Sequence, residues 1–433
     1  MKNHNSTIRK QSININRSVL ADAGFDMLNR GVSKRIKNIT TSAIKEMMRL
    51  SQNYPDAVSL AQGTPSFLTP KYIVKRIHLE LNNNPDIGKY APLTGLAQLK
   101  REIAKRLKKK RGIKADPKTE ICVTVGAMQA VASAIMAITN PGDEIILFSP
   151  CFPSHIAQIN LTQGKPIFAL LDESNKWALD IDEFKSKISS KTKAVIICNP
   201  SNPTGTVFRE EDLRAIAKLA QKHDFWLITD EPYDFLVYDN LRFFSISQIP
   251  EIKERLIACF SFSKEYAMSG YRIGWVYAQA GMINQMLKIH DAFTISAATV
   301  SQYAALAALQ GSQQQTKYFV REFAKRRDLI CRRLDQLPDF FSYHKPQGAY
   351  YIFPKIKIDI DDFDLAIRLL KEAKVVVVPG SSFGPNGKGH LRFCYAQSQE
   401  DINKAFDRIT KHFHEKKYSY LIRRPKRRTR GLN

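Results

Sequence analysis

The sequence predicts an α/β protein: a large domain whose mostly parallel sheet is sandwiched by helices, with a smaller α+β domain beside it. Two observations carry this expectation. Compact apolar runs at 144–148, 194–198, 225–229 and 256–260 alternate with helical patterns such as 210–223. Strands buried on both faces read as continuous apolar runs, and helices between them make the parallel crossovers. The chain is also 433 residues long, more than one simple hydrophobic core accommodates.

In chain order, residues 1–36 are polar and basic without sustained periodicity and read as a flexible extension. Ile39, Ile44, Met47 and Met48 suggest a helix over 38–52. Val58-Ser59-Leu60-Ala61 reads as a strand running into the turn Gln62-Gly63-Thr64-Pro65. The loop Lys89-Tyr90-Ala91-Pro92 opens a basic helix carrying Leu96, Leu99, Ile103 and Leu107 at helical spacing. A strand over 120–125 turns at Gly126-Ala127-Met128 into an apolar helix, and strand and helix then alternate to residue 260. After Ala280 the chain is largely helical through Leu334, with strands expected near 349–354, 375–378 and 390–394.

Composition narrows the class. Apolar residues make up 44% and charged residues 25%, ordinary values for a soluble globular protein. No apolar stretch reaches spanning length and the N-terminus is polar, so no membrane association is expected. Six cysteines include no C-x-x-C pair, and Cys122, Cys198, Cys259 and Cys394 lie in strand-like runs. They read as small buried hydrophobes in a reduced cytoplasm. Lys plus Arg at 66 against Asp plus Glu at 41 gives a net charge of +25. Part of it lies in the tail Arg423-Arg424-Pro425-Lys426-Arg427-Arg428-Thr429-Arg430 and part in Lys108-Lys109-Lys110-Arg111, after a helical stretch. Without interleaved aromatics or a docking motif, these runs read as a solvated tail and a basic helix end, and nucleic acid is not expected as a partner. His412-Phe413-His414 has no third ligand nearby, so no metal site is expected.

In an open α/β sheet ligands bind beyond the carboxyl ends of the strands, so polar residues just past several strands belong to one candidate site. Gly126-Ala127-Met128 offers a helix N-terminus to a phosphate. Asn199-Pro200-Ser201-Asn202-Pro203-Thr204-Gly205 holds two Asn-Pro pairs, which stiffen the turn and aim the Asn202 amide. Asp230-Glu231-Pro232-Tyr233 can present a carboxylate and a phenol to one planar ligand. Ser261-Phe262-Ser263-Lys264 puts a lysine where an apolar strand gives way to a Gly- and Ser-rich loop, with Arg272 further on. A lysine amine forms Schiff bases with carbonyl compounds, including the aldehyde of pyridoxal phosphate (PLP). That cofactor needs a carboxylate at its ring nitrogen and donors at its O3′ oxygen. Taken singly, each piece also reads as an ordinary turn, cap or solvated lysine.

Together, in this order and at these separations, the segments 199–205, 230–233 and 261–274 resemble the class I/II aminotransferases of PLP fold type I, which are aspartate aminotransferase-like. The resemblance spans about residues 38–414 and implies a function: transfer of an amino group from an L-amino acid to a 2-oxo acid by a ping-pong mechanism. It implies that Lys264 holds PLP as a Schiff base and shuttles the substrate proton. Asp230 would pair with the pyridinium nitrogen, Asn202 and Tyr233 would contact O3′, and Phe152 would stack on the ring. Ala127, Met128, Ser261 and Arg272 would hold the phosphate, with Tyr90 reaching over from the second subunit of a homodimer. Arg392 would grip the substrate α-carboxylate by a two-pronged bond, with Gly63 and Asn202 beside it. The implied division is a small domain from 37–60 and 306–418, a large PLP-binding domain from 61–305, and a basic tail from 419–433.

The same residues would serve β-elimination, cyclisation or oxidation, and the scaffold also occurs in ligand-sensing DNA-binding regulators. For the latter, the 36-residue extension is too short for a winged-helix domain. Nothing in the sequence is assigned to a distal carboxylate, so a neutral or aromatic substrate is preferred. The chain departs from the family where Glu265-Tyr266 follows the lysine in place of small or hydroxylic residues, and Glu265 is expected to be paired or solvated.

Overall fold

Seven strands build the central sheet: β1 (Ile121–Thr124), β2 (Glu144–Ser149), β3 (Lys165–Leu170), β4 (Thr192–Cys198), β5 (Trp226–Asp230), β6 (Leu256–Ser261) and β7 (Gly274–Ala278). In this computed structural model, which describes residues 31–415 apart from 38, 40 and 41, their order across the sheet is β1-β7-β6-β5-β4-β2-β3. Strands β2 to β6 pair in parallel, and β7 runs antiparallel to both β1 and β6. The expected mostly parallel sheet is therefore present. Alternate residues divide between two cores, as the pleat requires. Ile145, Leu147, Ile196, Ile228 and Ile257 face the helices Gly126–Ile138 and Ala280–Thr294. Ile146, Phe148, Val195, Ile197 and Leu227 face the other way, toward Glu210–His223 and the rest of the chain.

The smaller α+β part uses both ends of the described chain. Val58–Ser59 pairs in parallel with Val375–Val376, which ties the segment after the first helices to the last third of the sequence. Strands β8 (Tyr351–Ile352), β9 (Val378–Pro379) and β10 (Leu391–Cys394) form a second sheet with β10 in the middle. Asp361 caps the helix Asp362–Lys371 by accepting from the backbone N–H groups of Phe363 and Asp364. No helix among the described residues is long and apolar enough to cross a membrane.

Some sequence expectations shift. The helix expected over 38–52 occupies Ala43–Ser51, and a short helix, Lys34–Lys37, lies at the end of the segment expected to lack structure. Residues 1–30 of that extension and the basic tail at 419–433 lie outside the described residues. The basic run 108–111 is the last turn of the helix Ala97–Arg111, the basic helix end expected there. Its final member, Arg111, is buried and ion-paired to Glu231 at 2.6 Å and Asp234 at 2.8 Å. A helix end expected to be solvated is in part an internal charge network.

Candidate active site

Five strand ends open on one cavity of about 280 Å³. Among its walls are Ala127 and Met128 beyond β1, Phe152 beyond β2 and Asn202 beyond β4. Asp230 and Tyr233 come from the end of β5, and Ser261 and Lys264 from the end of β6. Gly63, Arg272 and Arg392 line the cavity as well. Tyr90 does not line the cavity of its own chain and is 78% exposed.

Lys264 sits just past β6, and its Nζ donates to the Gly63 carbonyl at 2.5 Å. Burial pushes its amine down to about 8, with Arg272 and Arg392 lowering it further against the opposing pull of Cys394 and Asp230. A lysine near 8 is mostly neutral, and so nucleophilic, only above about pH 8, but it carries far more free amine at neutral pH than a solvated lysine does. Asp230 stands at the end of β5 with one carboxylate oxygen, Oδ2, 3.1 Å from Nε2 of His155. Its other oxygen, Oδ1, is buried with no partner among the described residues. A buried carboxylate oxygen left open calls for a charged N–H donor.

Arg392 is 1% exposed and has no carboxylate partner among the described residues. Nη1 donates to Oδ1 of Asn202 at 3.0 Å, and Nη2 donates to the Ala61 carbonyl. The rings of Tyr351 and Phe383 lie 4.5 Å and 5.1 Å from the guanidinium carbon, while Nε is unsatisfied. An unneutralised cation this deep is costly unless an anion joins it. Because Asn202 accepts through Oδ1, its amide N–H groups are left as donors.

At the other end of the site Gly126 starts a helix of 13 residues with φ +73°. A Cβ there would come within 2.6 Å of Nη2 of Arg272, so only glycine lets the guanidinium lie against this helix start. Free backbone N–H groups, a guanidinium and the Ser261 hydroxyl make an anion cradle. Across the cavity, three cations (Lys264, Arg272 and Arg392) face the carboxylate of Asp230. The site is built for ligands carrying negative charge. A flat ring with an aldehyde, a protonated nitrogen and a phosphate arm would meet a complementary group at each position.

Three residues at the site escaped the sequence reading. His155 lies in the helix Pro153–Leu161, one turn past Phe152, and orients Asp230. Tyr350 donates to the Gly63 carbonyl at 2.9 Å, and Tyr351 shares a 2.7 Å hydrogen bond with Tyr233. Glu265 is settled as paired: it binds Arg106 at 2.5 Å and Lys110 at 3.3 Å and is 4% exposed. No group of three or more potential metal ligands occurs among the described residues.

Comparison with known proteins identifies the family. Residues 55–409 match the family described as aminotransferase class I and II. Aromatic-amino-acid aminotransferase 2 of Thermococcus litoralis is 36% identical, aligning over 89% of this chain and 99% of its own. The aspartate aminotransferase of Pyrococcus abyssi is 37% identical over the same shares, 89% and 99%. The crystal structure of an aromatic aminotransferase from Pyrococcus horikoshii superimposes with a TM-score of 0.81 at 36% identity, covering 87% of this chain and all of that one. The chain belongs to the class I and II aminotransferases, PLP-dependent enzymes of fold type I.

Proposed function

We propose that this aminotransferase holds PLP through Lys264 and moves an amino group between a neutral or aromatic L-amino acid and a 2-oxo acid in two half-reactions. When bound, the cofactor supplies an aldehyde that takes up the substrate amine and a protonated ring that accepts the Cα electron pair. The chain's own residues do the rest. Asp230, contacted by His155 at Oδ2 and open at Oδ1, would hold the ring nitrogen protonated. Asn202 and Tyr233 would serve its O3′ oxygen, and Phe152 would stack on the ring. The Gly126 helix start, with Ala127, Met128, Ser261 and Arg272, would hold the phosphate. Arg392 takes the substrate α-carboxylate in a planar two-pronged bond, beside Gly63, and so fixes the orientation of the Cα–H bond. Lys264 Nζ, freed by the incoming substrate amine, would take the proton from Cα and carry it away from that carbon.

The apolar walls Ile44, Met128 and Phe152 support a substrate side chain without charge. A homodimer in the cytoplasm, with Tyr90 completing the phosphate site of its partner, belongs to the same proposal.

The observation that carries this reading is the single cavity in which a buried amine, an open carboxylate oxygen and an unneutralised guanidinium converge. The test is reduction of the PLP-loaded protein with borohydride followed by peptide mapping. The pyridoxyl group is expected on Lys264; a label on any other lysine contradicts the assignment. Keto acid should form in quantity only when an amino acceptor is supplied, whereas a lyase or oxidase would form it without one.

A further inference from the structure

Tyr351 touches two of the groups given roles above, through two different parts of one side chain. Its hydroxyl lies 2.7 Å from that of Tyr233, and its ring face lies 4.5 Å from the Arg392 guanidinium carbon. The side chain is 2% exposed and lines the cavity. It stands on β8, which pairs with β10, the strand that carries Arg392. Room for it depends on Gly63, where a Cβ would come within 2.0 Å of the Tyr351 hydroxyl oxygen.

We propose that Tyr351 is a positioning residue for the amino-transfer reaction: its hydroxyl sets the Tyr233 phenol while its ring supports Arg392, so that one side chain links the cofactor's O3′ contact to the substrate-carboxylate contact. The inference rests on the roles proposed for Tyr233 and Arg392. Two buried phenols that share one hydrogen bond leave one proton over. If Tyr351 donates to Tyr233, the Tyr233 proton is free for the cavity. The charge of Arg392 favours that order: burial raises both phenols, but Arg392 opposes the rise at Tyr351. The less basic phenol is the better donor. The ring, meanwhile, gives a desolvated guanidinium the cation–π contact that substitutes for a carboxylate without neutralising it. Arg392 stays available to an incoming anion.

The two parts of the side chain separate by mutation. Tyr351→Phe keeps the ring and loses the hydroxyl. With Tyr233 a poorer donor to the anionic O3′, the pH midpoint of the bound cofactor's visible absorbance should rise by about half a unit or more. The kcat should fall severalfold, with the KM for the best amino donor within about twofold. Tyr351→Leu also removes the ring, so that KM should rise about tenfold or more, the scale of a desolvated cation–π contact. Gly63→Ala should be partly rescued by Tyr351→Phe, since the shortened ring relieves the closest contact. An unmoved midpoint in Tyr351→Phe overturns the inference even if Tyr351→Leu fails to fold. A wild-type protein that carries no pyridoxyl label on Lys264 overturns the functional reading and this inference together. A correct label with an unmoved midpoint overturns this inference alone.

Discussion

At Lys264 burial alters reactivity most directly. Its amine is held near 8, against above 10 for a solvated lysine. A lowered lysine pKa means that the neutral amine, the form that attacks an aldehyde, predominates above about pH 8. The rate at which cofactor-free protein captures PLP should therefore climb with pH and level off a little above 8. Stopped-flow absorbance across the pH range checks this, and a rate still rising through about pH 10 would point to an ordinary exposed lysine. Asp230→Asn keeps shape and the contact to His155 but loses the charge. Cofactor occupancy should change little, while Cα proton abstraction slows roughly a hundredfold or more, as when a preorganised electrostatic partner is removed. Single-turnover mixing with an amino acid measures that step, and a wild-type rate would remove Asp230 from its role. Arg392→Lys retains charge without the planar fork. It should lower kcat/KM by roughly 2–3 kcal/mol equivalent, the scale of hydrogen bonds to charged groups, with PLP still bound.

Among the elements, the helix Gly126–Ile138 is the one whose first residue the site depends on. Gly126→Ala would put a side chain at φ +73° and against Arg272. The conformational cost is about 1–2 kcal/mol, and it falls where the phosphate is proposed to bind. PLP dissociation, followed by equilibrium dialysis, should be at least about tenfold easier than in the wild type; unchanged affinity would mean that the phosphate lies elsewhere. What the sequence revealed about elements follows their burial. Runs such as Val195 to Ile197 and Leu227 to Ile228 are enclosed on both faces, so they stand out as continuous apolar stretches. Strand β3 lies at the sheet edge with Lys165 and Leu170 exposed, and its mixed pattern gave no signal. Strand β7 follows the lysine loop so closely that its first residues, Gly274 and Trp275, read as part of that loop. The site shows the same division. Residues just past strand ends could be found from the turn chemistry around them. His155 and Tyr351 could not, because their partners Asp230 and Tyr233 lie 75 and 118 residues away. A lone histidine in a helix or a tyrosine in a short strand carries no local mark of such a contact.

For the molecule as a whole, the topology explains why these groups meet. Parallel strands β2 and β4 to β6 bring their carboxyl ends to one edge, and β10 supplies Arg392 from the smaller α+β part. We propose that the boundary between the two domains runs near residues 60 and 306, with the cavity between them. The exposed side chains of Leu68, Tyr90 and Phe293 suit burial against a second copy of the chain. Tyr90→Phe should then leave the proposed dimer intact in sedimentation but loosen PLP roughly tenfold, the scale of one hydrogen bond to a charged group. Unchanged retention would mean that Tyr90 does not reach the phosphate. The fate of the substrate nitrogen distinguishes amino-group transfer from every other reaction at this site. Amino acids with isotopically labelled amino nitrogen, offered one at a time with an unlabelled 2-oxo acid, decide it by mass spectrometry. The labelled nitrogen should appear in the amino acid formed from the acceptor, with neutral and aromatic donors preferred and none released as ammonia. Label recovered as free ammonia, or no transfer from any donor, would contradict amino-group transfer at this site.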